Sequence, residues 1–384
     1  MTMKVNSVRM ATSESPAEIP APRANPLLIG HAAAEGVLLR AWQSGRMPHA
    51  WLITGPRGIG KATLAYRFAR FALKEGGAAE QGGLFGGPAA PAAPADTLAI
   101  DPSDAVFRQV ASGGHPDLFT LERGLMHPDT KKTTNEIVVP HVRRVNQQLR
   151  LTPVEGGWRV AVVDEAEAMN PNAENAFLKL LEEPPAKALI LLVSHAPGRL
   201  LPTIRSRCRL LAVPPLSDAD VEALLQRYRP GLEAADRAIL VRLAEGSIGR
   251  ALDLEVRGGV ELYGDVLALL DKLPKLDVPA LHAFAERMAR RGGEGEDASA
   301  GFRTTVELLA DWTGRLVKFA AGAGAAWEAE RPLLSRLAEH GPLPWTDAGD
   351  RIRKLGTVTD ELNLDRKQAL IAAFQAVQQA AAAG

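Results

Sequence analysis

Residues 55–62 read Gly-Pro-Arg-Gly-Ile-Gly-Lys-Ala, and this stretch decides the fold of the chain. Its spacing matches G-x-x-x-x-G-K-[S/T], a loop whose backbone N–H groups surround phosphate groups. Gly55, Gly60 and Lys61 are in place, but Ala62 stands where the pattern has a hydroxyl residue. That hydroxyl normally holds Mg²⁺ beside the β- and γ-phosphates. The loop therefore predicts a nucleotide site that lacks one metal ligand.

The segments around the loop have the strand, loop, helix order that a phosphate loop requires. Residues 50–54 form a short apolar run typical of a buried strand, and residues 63–74 carry apolar side chains at helical spacing. We expect the helix to begin near Lys61, so that its positive dipole end and free N–H groups lie at the phosphates. Thr63 has a hydroxyl, but one helical step turns it about 100° from Ala62. The alternative interpretation is a loop that keeps the shape of a phosphate loop but no longer binds a nucleotide.

Two acids follow a second buried strand. The run RVAVV at 159–163 is uninterrupted and apolar, as in parallel strands buried on both faces, and Asp164 and Glu165 come directly after it. Ligands bind at the carboxyl ends of parallel strands. Asp164 is therefore a candidate Mg²⁺ ligand and Glu165 a candidate for the base that orients an attacking water. Two solvated acids at a strand end are the alternative.

Weaker candidates lie further along the chain. Ser194 and His195 end the apolar run at 189–193, where either could sense a γ-phosphate, and Arg250 in Gly-Ser-Ile-Gly-Arg could be directed toward a nucleotide. His195 is equally well an ordinary strand-end residue. The complete candidate nucleotide-binding set is Gly55, Gly58, Gly60, Lys61, Ala62, Thr63, Asp164, Ser194 and Arg250.

Arg207, in Ser206-Arg207-Cys208, is the second candidate catalytic residue beside Glu165. A guanidinium carries a fixed charge and can bind a phosphate with two hydrogen bonds. Offered to the γ-phosphate of a neighbouring subunit, it would be an arginine finger acting in trans. Taken alone, Arg207 is better interpreted as a surface salt-bridge residue. Cys208 has no neighbouring histidine to activate it and is expected to be a small buried apolar residue.

Alternating strands and helices predict an α/β fold with a doubly wound parallel sheet over residues 25–213. Residues 1–24 are rich in Ser, Pro, Ala and Glu and are expected to be disordered. A Gly/Ala/Pro tract at 75–96 is expected to be a low-complexity insertion. The strand pattern fades after Pro214-Pro215, and helices are expected over 214–258 and again over 259–384.

Composition narrows the function classes. Lys plus Arg and Asp plus Glu number 45 each, so overall charge does not drive nucleic-acid binding, although a local basic patch remains compatible with it. One cysteine among 384 residues fits a reducing cytoplasm. The N-terminus does not match a secretory signal, and no apolar run has the length of a membrane span. These features predict a cytoplasmic protein.

Taken together, these motifs resemble the clamp-loader branch of the AAA+ ATPases. The resemblance covers about residues 27–252, with a further match near the C-terminus. It rests on 49–52 (HAWL), the phosphate loop, 115–117 (HPD), 164–167 (DEAE), 178–185 (LKLLEEPP), 201–208 (LPTIRSRC) and 363–367 (NLDRK).

The resemblance implies that 214–258 is a helical lid and 259–384 a helical collar that holds a five-subunit ring together. It implies gamma/tau and delta subunits as partners, and contact with a sliding clamp and primer-template DNA through the complex. Arg207 would then serve the neighbouring ATP site, while this chain's own ATPase activity would be weak or absent. ATP with Mg²⁺ remains a candidate cofactor. Zinc is not expected, because the cysteines of the zinc module in many relatives are missing between the phosphate loop and the second strand.

Two other functions fit parts of the sequence. An active gamma/tau-type motor subunit would account for Lys61, Asp164 and Glu165, but it would require Ser or Thr at position 62 and the zinc cysteines. A small-molecule kinase with a phosphate loop would need a substrate pocket and an arginine-rich lid, whereas the helical C-terminal third is more typical of an assembly module.

Overall fold

The computed structural model describes residues 19–78, 95–126, 132–290, 299–324 and 327–383. The chain divides into two compact units. The first contains the residues up to Arg237 together with Ala244–Arg250, and the second contains Ala238–Leu243 and the chain from Ala251 onward. Most of the predicted disordered segment and of the predicted insertion lies outside the described residues. The division into sheet domain, lid and collar stays a prediction.

The first unit is built on a five-stranded sheet in which every neighbouring pair of strands is parallel. The strands lie in the order β2-β3-β4-β1-β5. Their bounds are β1 Ala50–Thr54, β2 Leu118–Leu121, β3 Arg159–Val163, β4 Ala188–Ser194 and β5 Arg209–Ala212. The predicted parallel α/β sheet is confirmed.

Helices cover both faces of this sheet, which explains the uninterrupted apolar runs. Alternate residues of β1 enter different cores: Trp51 and Ile53 pack with the helix after the phosphate loop, whereas Ala50 and Leu52 pack on the opposite face. All residues of β1, β3 and β4 are buried. The helices that begin in this unit are α1 Ala32–Gln43, α2 Lys61–Ala78, α3 Ala105–Ser112, α4 Val139–Leu149, α5 Pro171–Glu182, α6 Pro202–Arg205, α7 Asp218–Tyr228, α8 Ala234–Ala244 and α9 Ile248–Val256.

Side-chain hydrogen bonds cap the starts of α5 and α7. The Asn170 side chain accepts a hydrogen bond of 2.9 Å from the N–H of Ala173, and Pro171 is the first helical residue. Ser217 Oγ accepts a hydrogen bond of 3.1 Å from the N–H of Asp220 at the start of α7. These caps satisfy backbone N–H groups that have no partner inside the helix at the first turns of α5 and α7.

The helix after the phosphate loop is longer than the sequence pattern predicts. It runs from Lys61 to Ala78 and so includes Gly76 and Gly77, which had been expected to lie in the insertion. A Cβ on Gly76 would lie 2.3 Å from Cδ1 of Trp158, so the absence of a side chain is what lets the indole approach the helix. The first four residues of the predicted insertion are therefore helical, and Gly76 has a packing role.

The segment before α1 is tied to the rest of the first unit by buried polar contacts. Arg70, only 1% exposed, donates to the carbonyl oxygens of Arg23 at 2.9 Å and Asn25 at 3.0 Å. Its guanidinium also lies 4.5 Å from the ring centre of Phe107. Asn25 in turn donates a 3.1 Å hydrogen bond to the Tyr228 hydroxyl at the end of α7. The segment thus connects α2 to α7.

All the secondary-structure elements of the second unit are helices in its described residues, and turns and loops connect them. Its core includes the fully buried Trp312 and Trp345, whose rings meet edge to face at 6.4 Å. None of the helices in the described ranges has the length and apolar composition that a membrane crossing requires. The helices that begin in this unit are α10 Gly259–Leu270, α11 Val278–Arg290, α12 Ala300–Ala320, α13 Arg331–Ala338, α14 Leu343–Glu361 and α15 Arg366–Ala382.

The two adjacent glycines of α2 allow a matched test of the Trp158 contact. Gly76→Ala should destabilise the protein by about 1–3 kcal/mol, because the methyl group overlaps the indole. Gly77→Ala should be neutral or stabilising by about 0.5 kcal/mol, because alanine favours the helix and the nearest atom to its Cβ is 3.6 Å away. Urea unfolding of both variants measures the difference, and equal stabilities would contradict the contact.

Candidate nucleotide site and exposed arginine

The strand order brings the candidate residues to one edge of the sheet. β4 lies between β1 and β3, so Thr54 is in register with Ser194, and Val163 with Leu192. The phosphate loop follows β1 and Asp164 follows β3. Because all three strands are parallel, their carboxyl ends meet at the same edge.

The loop has the backbone shape that its glycines allow. Gly58 has a φ of +76°, and a Cβ there would lie 2.5 Å from Ser247 Oγ. Ser247 donates a 2.8 Å hydrogen bond to the carbonyl of Arg57, and the N–H of Gly249 donates at 2.9 Å to the carbonyl of Gly58. The segment that the sequence singled out as Gly-Ser-Ile-Gly-Arg therefore braces the phosphate loop.

Lys61 points back into the loop. Its ammonium donates a 2.5 Å hydrogen bond to the carbonyl oxygen of Pro56. Burial lowers the pKa of Lys61 to about 8, while the nearby carboxylates of Glu167 and Asp164 act in the opposite direction. The lysine is thus charged at neutral pH and lies within the loop, where a phosphate would compete with the carbonyl for its protons.

His31 is a buried contact of the loop that the sequence did not indicate. Its ring nitrogen Nε2 lies 2.6 Å from the carbonyl oxygen of Ile59 and must donate to it, since a carbonyl can only accept. This bond ties the start of α1 to the phosphate loop. Nothing in the local pattern around His31 distinguishes it from an ordinary residue before a helix.

Glu165 is held by two arginines. Its Oε1 lies 3.0 Å from Nη2 of Arg57 in the phosphate loop, and its Oε2 lies 2.6 Å from Nε of Arg123, just after β2. The Glu165 backbone has a φ of +51°, a left-handed conformation that is uncommon for a residue with a side chain. Both carboxylate oxygens therefore have a cationic partner, and the role of Glu165 as a base stays a prediction.

Asp164 lies beside Glu165 but in a different environment. Its Oδ1 accepts a 3.0 Å hydrogen bond from the N–H of Glu165, and burial raises the pKa of this carboxyl above its ordinary value. The carboxyl groups of Asp164 and Glu165 therefore differ in their partners, a backbone N–H for Asp164 and two guanidinium groups for Glu165.

Glu167 is a buried acid for which the sequence pattern predicts no role. Its side chain is fully buried, and its Oε1 accepts hydrogen bonds from the backbone N–H groups of His195 at 3.0 Å and Ala196 at 3.3 Å. The His195 Nδ1 lies 2.5 Å from the same oxygen. Burial acts to raise the pKa of Glu167, but the hydrogen bonds, including one from Ser194, outweigh it and hold the pKa below its ordinary value. Ser194 and His195 therefore face this carboxylate.

These residues fit phosphate groups better than they fit a metal ion. The glycine loop, Lys61 and the start of α2 form the expected cradle for phosphate groups. Ala62 offers no hydroxyl, and Thr63 is 9% exposed and lies one position further along the helix. Across the described ranges, no three His, Cys, Asp or Glu side chains cluster in a way that could hold a metal ion. A bound nucleotide would supply the phosphates, and the loop residues would hold and orient them.

Arg207 lies away from this loop, on the exposed turn between α6 and β5. Its Nη2 lies 3.0 Å from Oε1 of Glu182, and its Nη1 donates a 3.1 Å hydrogen bond to the carbonyl of Thr203. The Arg207 side chain remains 37% exposed. Burial raises the pKa of the neighbouring Cys208 thiol to about 12, which fits its predicted packing role. The arginine is thus partly exposed on this turn while it contacts Glu182 and Thr203.

Comparison with known proteins finds one matching family model and several relatives. Residues 96–217 match the family model described as DNA polymerase III, delta subunit. The chain is 36% identical to DNA polymerase III subunit delta' of Pseudomonas aeruginosa over 233 residues, 60% of this chain and 63% of that protein. It is 33% identical to the Escherichia coli subunit delta' over 219 residues, 56% of this chain and 57% of that protein.

This chain resembles DNA polymerase III delta' subunits. The predicted resemblance to the clamp-loader branch is confirmed by these matches. DNA polymerase III subunit tau of Escherichia coli aligns with more of this chain, 79%, but at only 26% identity and over 41% of its own length. The chain spans less than two thirds of the length of the delta' relatives it matches.

The structure brings the loop residues, Asp164, Ser194 and Arg250 to one edge of the first unit, where Arg250 follows the segment that braces the loop. Arg57, Arg123 and Glu167 join them without having been predicted. Arg57 stands at a variable position of the phosphate-loop motif, and Arg123 follows β2 outside any motif. The sequence pattern therefore does not predict a site role for either arginine.

The pKa of Lys61 gives a pH prediction for nucleotide binding. Because burial lowers this pKa to about 8, the ammonium is present below pH 8 and is lost above it. Nucleotide affinity should therefore fall between pH 7 and pH 9, approaching about tenfold per pH unit at the upper end. Lys61→Arg keeps its charge and should show no such fall. Titration of labelled ATP at several pH values tests this, and equal slopes for both proteins would refute the role of Lys61.

Proposed function

We propose that this chain is the delta'-type stator of a bacterial clamp loader. In this role it helps to place a sliding clamp on primed DNA and offers Arg207 to the ATP site of a neighbouring subunit. The observation that carries the proposal is the exposure of Arg207 on the turn between α6 and β5, combined with a phosphate loop that lacks its metal-binding hydroxyl at position 62.

The residues of the chain's own nucleotide site support a subunit that assists ATP hydrolysis in a neighbouring subunit. A motor needs a metal at the phosphates and a base that orients water. Here Ala62 removes a metal ligand, and Arg57 and Arg123 use both oxygens of Glu165. An intrinsic ATPase activity that is weak or absent follows from this arrangement. The gamma/tau motor type is therefore less well supported than the delta' type.

The surroundings of Arg207 support contact with a neighbouring subunit. β5 is an edge strand of the sheet, and Leu210 on it is 59% exposed. Arg205 and Arg209 are exposed on either side of Arg207. An exposed leucine among arginines suits a surface that another protein covers, because arginines at interfaces can bind both carboxylates and phosphates.

The partners follow from the proposed ring. They are gamma/tau and delta subunits, joined through the helical residues 259–384, with the sliding clamp and primer-template DNA reached through the complex. We place this work in the bacterial cytoplasm, where the single cysteine needs no oxidising environment.

The test is Arg207→Ala in a reconstituted loader. The variant should fold and assemble normally, because Arg207 makes only exposed contacts, but its DNA-stimulated ATPase rate should fall. Loss of an arginine finger costs about 10³–10⁵ in GTPases, and the remaining sites of a ring would mask part of that loss, so we expect about a threefold to tenfold drop.

Arg227→Ala is the matched control, since Arg227 is an exposed arginine on α7 and does not belong to the arginines that flank Arg207. It should leave the rate within about twofold of the wild type. An Arg207→Ala loader with the wild-type rate would refute the finger assignment. Robust ATP turnover by the isolated chain that disappears in Glu165→Gln would instead identify a motor.

A further inference from the structure

In the proposed stator role, the two arginines that meet at Glu165 only occupy its carboxylate, and their own binding capacity is not used. Arg57 belongs to the phosphate loop, and Arg123 follows β2 on another part of the sheet. They bind different oxygens of one carboxylate, so Glu165 holds both guanidinium groups close to the loop. Two cationic side chains therefore lie beside the loop that is predicted to bind phosphate groups.

Both guanidinium groups keep donors available for a ligand. The Arg57 side chain is 76% exposed and contacts Glu165 through Nη2, and the Arg123 side chain is 45% exposed and contacts it through Nε. A guanidinium has five N–H donors, so each arginine can bind a phosphate oxygen with donors that Glu165 does not use. Side chains this exposed can also reorient toward an incoming anion.

The same residues make the site unsuited to a divalent cation. In a metal-dependent loop, a hydroxyl and an adjacent acid bring Mg²⁺ to the phosphates. Here Ala62 has no hydroxyl, Asp164 uses one oxygen on the N–H of Glu165, and Glu165 is neutralised by arginines. A divalent cation would find one partly engaged carboxylate and two positive charges nearby.

We propose that this phosphate loop binds a nucleoside di- or triphosphate without a divalent cation. Arg57 and Arg123 supply the positive charge that Mg²⁺ supplies in metal-dependent loops, alongside Lys61. Glu165 is their counter-ion, and the phosphates compete with it for the two guanidinium groups. The proposal concerns the chain's own loop and does not depend on the role of Arg207 in a neighbouring site.

This arrangement gives Glu165 a function opposite to that of a catalytic base. Removing a catalytic base lowers the turnover rate. It leaves nucleotide affinity unchanged, or raises it only when the metal ion is present. Removing a counter-ion releases two arginines and strengthens anion binding with or without metal. Glu165→Gln therefore separates the two roles, because glutamine has nearly the same shape and no charge.

The experiment is equilibrium binding of labelled ATP and ADP to the purified full-length chain, once in excess EDTA and once in excess Mg²⁺. We expect wild-type affinity in EDTA to equal or exceed that in Mg²⁺. Arg123→Gln should weaken binding in EDTA about tenfold, because a charge-assisted hydrogen bond is lost. Glu165→Gln should strengthen it about threefold to tenfold.

Arg108→Gln is the matched control for charge, because Arg108 is an exposed arginine on α3 whose side chain has no assigned role. It should bind like the wild type, and circular dichroism should show that every variant is folded. The proposal fails if Mg²⁺ improves wild-type affinity tenfold or more. It also fails if neither the wild type nor Glu165→Gln binds nucleotide in EDTA, or if Arg123→Gln binds as well as the wild type.

A failure here leaves the stator proposal intact, since the ATPase assay of the assembled ring reports on Arg207 and the neighbouring site. Conversely, if the Arg207→Ala loader keeps the wild-type ATPase rate, metal-free nucleotide binding can still be measured on the isolated chain. The two experiments therefore have independent outcomes.

Discussion

The insertion of β4 between β1 and β3 is the constraint on which the rest of the first unit depends. Parallel hydrogen bonding fixes the register of the three strands, so residues from positions 54, 164 and 194 reach one edge together. A slip of one residue would reverse which side chains face each core. The two apolar cores thus keep the phosphate loop and the acids in place, although neither core contains a functional residue.

Electrostatics at this edge balance without a metal. Lys61 bonds to Pro56, Glu165 bonds to two arginines, and Glu167 bonds to His195. Each charged group has a protein partner in a partly buried setting, where unpaired charges are costly. A ligand must therefore replace the existing partners of these charged groups. This favours an anion that offers several oxygen atoms at once.

The sequence predicts the regular parts of this fold because their physics is local. The runs at 50–54 and 159–163 become strands with those bounds, since an uninterrupted apolar run needs burial on both faces. The pattern does not predict β5, because only one of its four residues is buried and the strand is defined by pairing with β1. It also ends α2 too early, since glycines usually stop helices and the compensating contact with Trp158 comes from distant sequence. The salt bridges of Glu165 are missed for the same reason: they join three segments that only the folded sheet brings together.

The hydrogen bond between Asn25 and Tyr228 joins residues 203 positions apart. On a ribosome, Asn25 emerges long before its partner is synthesised, at a rate of about 5–20 residues per second. The N-terminal segment must therefore wait for many seconds before this contact can form, while Arg70 and its two carbonyl acceptors are already available. The order of synthesis thus favours docking of the segment on α2 first, with the link to α7 closing only after the whole sheet has been made.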